Sequence, residues 1–247
     1  MSADDGRPIT EPEEVRAFLR RVPLQVDAER FLRFALGFPR HYLQKTPPVE
    51  VVRHYGLMEA LGRRDVISSL AQERGLWRLC LVARDRSYLF ARIAGSLSAF
   101  GMNIVEAEAF ANESALVLDT FRFADPRARF DDDNERRAFQ ALLEEATSGR
   151  ATLPEPAPPS EATRGSLRVH FDDQSHPRWT RLGVEGPDRL GLLYGLSRTL
   201  SEAGCSIELA YIATPDSGVH DDFYLSEGGQ RLSALTRSTL KDALEQL

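Results

Sequence analysis

Apolar positions along this chain switch between a period of two and a period near 3.6, and the switches occur in the same order twice. Leu76, Leu79 and Leu81 lie in a strand-like run that ends at the turn Arg84-Asp85-Arg86. From Leu89 to Phe100 the spacing is helical, with Phe90, Ile93, Ala94 and Leu97 inward. It stops at Gly101, a residue suited to the left-handed position after a helix. Asn103 to Ala111 and Ala115 to Phe123 then read as a hairpin around Asn112-Glu113-Ser114, and Asn134 caps a helix striped with Phe139, Leu142 and Leu143. The second pass gives a strand from Trp179 to Glu185, a helix from Leu190 to Ala203, a hairpin from Ile207 to Leu225 around Asp216-Ser217-Gly218, and a last helix from Leu232 to Leu247.

The two passes also match in their polar positions. Asp85-Arg86 corresponds to Asp188-Arg189, Gly101 to Gly204, Asn103-Ile104 to Ser206-Ile207, and Asp119-Thr120-Phe121 to Asp221-Asp222-Phe223. A repeated unit of this length makes the chain two copies of one small module rather than one large catalytic domain. The order βαββα needs one more strand to complete a ferredoxin-like sandwich. Leu167, Val169 and Phe171 alternate with Arg168 and His170 as a half-buried strand, and the pattern leaves open which copy it completes. Thr152 to Thr163, rich in Pro, Ala and Glu, reads as an exposed linker.

Ahead of the repeat the chain reads as helical. Glu11-Pro12-Glu13-Glu14 opens one helix and Asp27 caps a second bearing Phe31, Leu32, Phe34 and Ala35. Pro39 redirects the chain, and Thr46-Pro47-Pro48-Val49-Glu50 starts a further helix carrying Val51, Val52, Tyr55, Leu57 and Met58. The expected division is a helical segment over 1–74, a first module over 75–173 with its linker near 150–165, and a second module over 174–247. The helical segment should pack against the modules or serve in dimerisation.

The stretches DRSYLFARIAGSLSAFGMNIVEAEAF with LDTF, and DRLGLLYGLSRTLSEAG with AYIAT and DDFYL, resemble the ACT domain, a small ligand-sensing module. As a tandem pair they are similar to the C-terminal regulatory end of the bifunctional PII-protein uridylyltransferase/uridylyl-removing enzyme family. FPRHYLQKTPPVEVVRH resembles the helical stretch joining that family's hydrolase domain to its ACT pair, so the likeness runs from about Asp27 to Leu247. It implies an α+β fold of two βαββαβ modules and a regulatory role with an amino-acid ligand, glutamine being favoured because that family senses nitrogen status through it.

In the ACT family, the turn after the first strand and the start of the first helix form one wall of the ligand site, and a partner module's strand usually forms the other. Carried over residue by residue, this marks Asp188, Arg189, Gly191, Leu192, Ser206 and Ile207 in the second module, and Asp85, Tyr88, Leu89, Asn103 and Ile104 in the first. Glycine at 191 lets a carboxylate approach open helix N-terminal amides, although it equally relieves a tight turn. Tyr88 stands at the matching position and disfavours positive φ; either its ring closes the site over the corresponding amides, or Tyr88 itself contacts a ligand through its ring or hydroxyl, and the Gly191 turn is the expected holder of the carboxylate. Asn103 offers a donor and an acceptor to an amino-acid headgroup, or caps the turn after Gly101.

Composition narrows the alternatives. A formal net charge of −6 and 28% charged residues argue against a broad nucleic-acid footprint. The hairpin strands lack the basic, aromatic pattern of RNA-recognition sheets. No apolar run approaches the roughly 20 residues of a membrane span, and Met1 to Arg7 is acidic and polar, so cytoplasm is the expected compartment.

Cys80 and Cys205 make no disulfide framework or metal pattern, with Cys205 expected to be a half-buried thiol. His170 and His176 lack metal-ligand spacing, and Asp131-Asp132-Asp133 reads as helix capping rather than a calcium loop. His220-Asp221 spells the dipeptide of metal-dependent phosphohydrolases, but in a strand-like run it points to a surface or hairpin role. No glycine-rich phosphate loop, nucleotidyltransferase motif or hydrolase motif is found, so no catalytic residue, metal or cofactor is expected.

Three classes follow. One is a regulatory amino-acid sensor, taken to be a homodimer and leaving room for a regulatory protein partner. Another is a protein labelled as a uridylyltransferase but lacking the catalytic domains, or a scaffold module. The third is an RNA-binding module. The sensor accounts for most of the features.

Overall fold

The computed structural model describes residues 7–22, 26–155, 166–215 and 218–247. The first helices form where their end signals stand. Helix α1 (Pro12–Leu19) has proline in its first turn, where the missing amide is harmless. Helix α2 (Ala28–Ala35) is capped by Asp27, whose carboxylate accepts from the amides of Glu29 and Arg30 at 3.1 and 3.0 Å. Helix α3 (Arg40–Lys45) follows Pro39, and helix α4 (Pro48–Leu61) begins at the Pro47-Pro48 pair.

The first module is built from strands β1 (Val66–Glu73) and β2 (Leu76–Arg84), helix α5 (Leu89–Ala99), strands β3 (Asn103–Ala111) and β4 (Leu116–Ala124), and helix α6 (Asp133–Thr147). The second repeats the scheme with β5 (Arg168–Asp172), β6 (Thr180–Gly186), α7 (Leu192–Glu202), β7 (Cys205–Ala213), β8 (Val219–Glu227) and α8 (Ala234–Leu244). The hairpin residues Asp216 and Ser217, and positions 156–165 of the expected linker, lie outside the described residues.

All eight strands join one antiparallel sheet in the order β1-β2-β4-β3-β7-β8-β6-β5. Each module is a ferredoxin-like α+β sandwich, but its edge strand comes first in the chain. The observed order is therefore ββαββα rather than the expected βαββαβ. β1 occupies residues expected to be helical within 1–74, and β5, expected inside the span of the first module, pairs with β6. A two-residue turn makes the first change possible: Arg74 and Gly75 both have positive φ (51° and 83°), the geometry that matches a hairpin's twist. A further correction concerns α6, whose cap is Asp132, accepting from the Asn134 amide at 2.7 Å, rather than Asn134 itself.

The modules meet at β3 and β7. Ala107 pairs with Ile212 and Ala109 with Ala210, on either side of the Glu108–Tyr211 pair, so a pseudo-twofold axis passes between the copies. Helices α5 and α7 lie together on one sheet face, over a core that includes Leu79, Leu81, Phe121, Leu182, Val184 and Phe223. Gly95 allows that approach, because a Cβ there would come 2.9 Å from the Tyr194 ring and 2.7 Å from Leu153. The helical arm α1–α4 covers the other face. Phe31, Phe34, Phe38, Tyr42 and Tyr55 bury with Val82, Phe110 and Leu118 of the first module and Leu209 and Tyr224 of the second. The arm thus spans the junction, and the strands beneath it bury apolar side chains on both faces. Among the described residues, no helix is long and apolar enough to cross a membrane.

Candidate functional site

Twofold repetition places two related clefts at the junction of the modules. In each, a short turn leads from a strand into a helix whose first residue follows a left-handed position. Gly191 has φ 82° and caps α7; Tyr88 has φ 66° and caps α5. Neither helix receives a side-chain cap; the amides of Leu89 and Leu192 donate to the carbonyls of Arg86 and Arg189 at 3.2 and 3.0 Å, and the helix dipole favours an anion at this end. The sequence disfavoured this conformation for tyrosine, yet Tyr88 adopts it. Holding a non-glycine residue there costs about 1–2 kcal/mol.

Each cleft takes its turn from one module and its opposite wall from the other. Asp85, Tyr88 and Leu89 face Cys205, Ser206 and Ile207 at the start of β7, around a cavity of about 300 Å³. Asp188, Arg189, Gly191 and Leu192 face Asn103 and Ile104 at the start of β3, around only about 20 Å³. Ser206 and Ile207 are therefore neighbours of the Tyr88 turn rather than of Gly191, and Asn103 and Ile104 of Gly191 rather than of Tyr88.

The expected order of openness is also reversed. Tyr194 stands in the second cleft where α5 carries Ala91, and Met102 lines it where β7 carries Cys205. These two larger side chains consume the space that the missing side chain of Gly191 would leave. In the open cleft Tyr88 forms part of the lining, with the Arg92 guanidinium 5.9 Å from its ring centroid. Arg189 lines the closed cleft and donates to the backbone oxygen of Leu247, while its counterpart Arg86 lines the open cleft and pairs with Asp65 at 3.0 Å.

Two residues that sequence reasoning passed over form the floors. Asp119 of β4 is buried in the open cleft between Leu81 and Ala109, and Asp221 of β8 is buried in the closed one. Burial pushes the Asp119 carboxyl up to about 8, with the charge of Asp85 adding to the effect. Burial likewise pushes Asp221 up to about 8, against a lowering hydrogen bond from the Ala213 backbone, with Asp188 and Asp222 adding to the rise. Asp221 therefore has no surface role, while its neighbour His220 is exposed. The available signal was the Asp-x-Phe repeat, a lone acid within an apolar strand in both copies.

Both free cysteines are buried, Cys205 more deeply than expected. The open cleft can hold the two ends of a zwitterion: helix amides suit a carboxylate, and Asp85 with Asp119 suits an ammonium group.

No family model matches the chain. It is 31% identical over 227 residues to the bifunctional uridylyltransferase/uridylyl-removing enzyme of Nitrobacter winogradskyi, covering 86% of this chain and 24% of that protein. The enzyme of the same description from Caulobacter vibrioides is 34% identical over 208 residues, covering 75% and 22%. This chain spans about a quarter of the length of these relatives. Among solved structures, an aspartate kinase from Synechocystis aligns with a TM-score of 0.40 at 18% identity, over 70% of this chain and 27% of its own; so loose a likeness carries no argument. Sequence and topology together make this chain a tandem pair of ferredoxin-like, ACT-type modules, homologous to a portion of the bifunctional uridylyltransferase/uridylyl-removing enzymes and resembling their C-terminal regulatory region.

Proposed function

We propose that this chain is a regulatory amino-acid sensor, without uridylyl-transferring activity of its own, that holds one free amino acid in the cleft between the Tyr88 turn and the start of β7. The observation that carries this reading is the pairing, around about 300 Å³, of the α5 N-terminus, which has no side-chain cap, with the buried carboxyl of Asp119. That volume lies at the small end of the usual range for ligand sites, about 300–1,000 Å³, and suits a metabolite of amino-acid size. Glutamine is the favoured ligand, on the strength of the family resemblance. The ligand would touch the turn of one module and a strand of the other, so its binding energy bears directly on how the modules are held together.

The second cleft, as closed as it is here, contributes no ligand. Chains of this kind are also expected to self-associate in the cytoplasm, because among the described residues β1 and β5 stand at the two edges of the sheet with no further strand beside them. A thermal-shift screen of the free amino acids tests the main reading. A ligand that binds the native state at a hundred times its dissociation constant should stabilise by about 2.7 kcal/mol. No shift with any amino acid, glutamine included, would sink it.

A further inference from the structure

On the arm side of the sheet, a second group of polar side chains converges away from both clefts. Glu50 and His54 are four residues apart on α4 and therefore share one helix face. That face lies over Cys80 of β2 and Thr120 of β4, which are paired directly across the two strands. Strand alternation separates this group from the ligand cleft: Asp119 faces α5, and Thr120, the next residue, faces the arm.

The donor atoms of Glu50, His54 and Cys80 all lie within 4.8 Å of one another. His54 Nε2 is 3.8 Å from Cys80 Sγ and 3.5 Å from Thr120 Oγ1, and Cys80 Sγ is 3.7 Å from Thr120 Oγ1. A tetrahedral zinc ion, with metal–sulfur near 2.3 Å and metal–nitrogen near 2.0–2.1 Å, sets sulfur and nitrogen about 3.5 Å apart. Only a few tenths of an ångström separate the observed pair from that spacing.

The surroundings also suit an ion. The Tyr42 hydroxyl and His54 Nδ1 are 3.0 Å apart, a contact that orients the ring and leaves Nε2 toward the sulfur. Glu50, His54 and Thr120 line a cavity of about 850 Å³ between the arm and the sheet, which gives an ion a way in. Opposing it are the charges of Arg53 and Arg78, both of which donate to the Glu50 carboxylate. They leave the carboxylate in place but weaken its attraction for a cation.

We propose that Glu50, His54 and Cys80, with Thr120 or water in the fourth position, form a binding site for a zinc-like divalent ion that ties the helical arm to the first module. Cobalt(II) is the probe, added to the reduced, metal-stripped full chain. One cobalt per chain should bind with a thiolate-to-cobalt charge-transfer band, and zinc should displace it. The band should disappear in Cys80→Ser and survive in Cys205→Ser, with circular dichroism confirming that both variants fold. Should Cys80→Ser misfold, His54→Gln takes its place: it should weaken cobalt binding at least tenfold and abolish the rise in melting temperature that zinc gives the parent chain. Absence of a thiolate band in the parent chain would overturn the proposal, leaving a hydrogen-bonded core cluster. Loss of the band with Cys205→Ser instead of Cys80→Ser would overturn it as well.

Discussion

Asp119→Asn is the most informative single substitution in the open cleft. In the native protein the carboxyl titrates at about 8 rather than 3.8, because it is buried beside Asp85. Below pH 4 it is neutral in both folded and unfolded chains and has no effect on the balance. Between about 4 and 8 only the folded state keeps the proton, so stability falls as pH rises; above 8 the loss is complete. Each pKa unit corresponds to about 1.4 kcal/mol, so this one group makes the protein up to about 3–4 kcal/mol less stable at pH 8 than at pH 5. Asparagine keeps the shape and loses the charge. Chemical denaturation of both proteins at pH 5 and pH 8 should show a flatter pH dependence in the variant and higher stability than the parent at pH 8. The same change removes the partner of the ligand's ammonium group, and loss of one member of a buried charged pair costs about 2–5 kcal/mol, a weakening of roughly thirtyfold or more. If the variant keeps the parent's pH slope, or binds amino acids as tightly as the parent, the assigned role of Asp119 is wrong.

Three further outcomes test other parts of the account. Tyr194→Ala should open the second cleft and raise the number of amino acids bound per chain from one to two in calorimetry, at a core cost of about 3 kcal/mol. Gly191→Tyr should leave ligand binding intact, since the cleft it lines is already closed; its loss in the same titration would move the site to the second module. Gly95→Ala should destabilise by about 1–3 kcal/mol in urea, because the new methyl meets Leu153 and the Tyr194 ring where α5 and α7 touch.

Much of the fold was legible because its signals are local. The Asp27 cap, the Pro47-Pro48 helix start and the glycines after α5 and α7 all act within a few residues of where they stand. β1 escaped notice because Val66 to Glu73 mixes serines with apolar residues, and because its turn, Arg74-Gly75, lacks the usual Asn-Gly or Asp-Gly signal. The partition of residues between the clefts was harder still. It depends on β3 pairing with β7, a contact between residues about a hundred positions apart that no local pattern encodes. Cleft size was misjudged for a related reason: Gly191 and Tyr88 invited comparison, while Tyr194 and Met102, which fill the second cleft, carry no pattern that singles them out. The lone acids at 119 and 221 were visible in the repeat, but only their burial marks them as cleft floors.

Titration calorimetry of glutamine into the full chain near pH 7, repeated in two buffers with different heats of ionisation, tests the central claim most directly. Asp119 should be mostly protonated in the empty cleft, so an ammonium group docking against it should drive the proton out. The account predicts one ligand per chain, with net proton release that disappears in Asp119→Asn. Absence of binding, or binding with neither proton release nor dependence on Asp119, would contradict it.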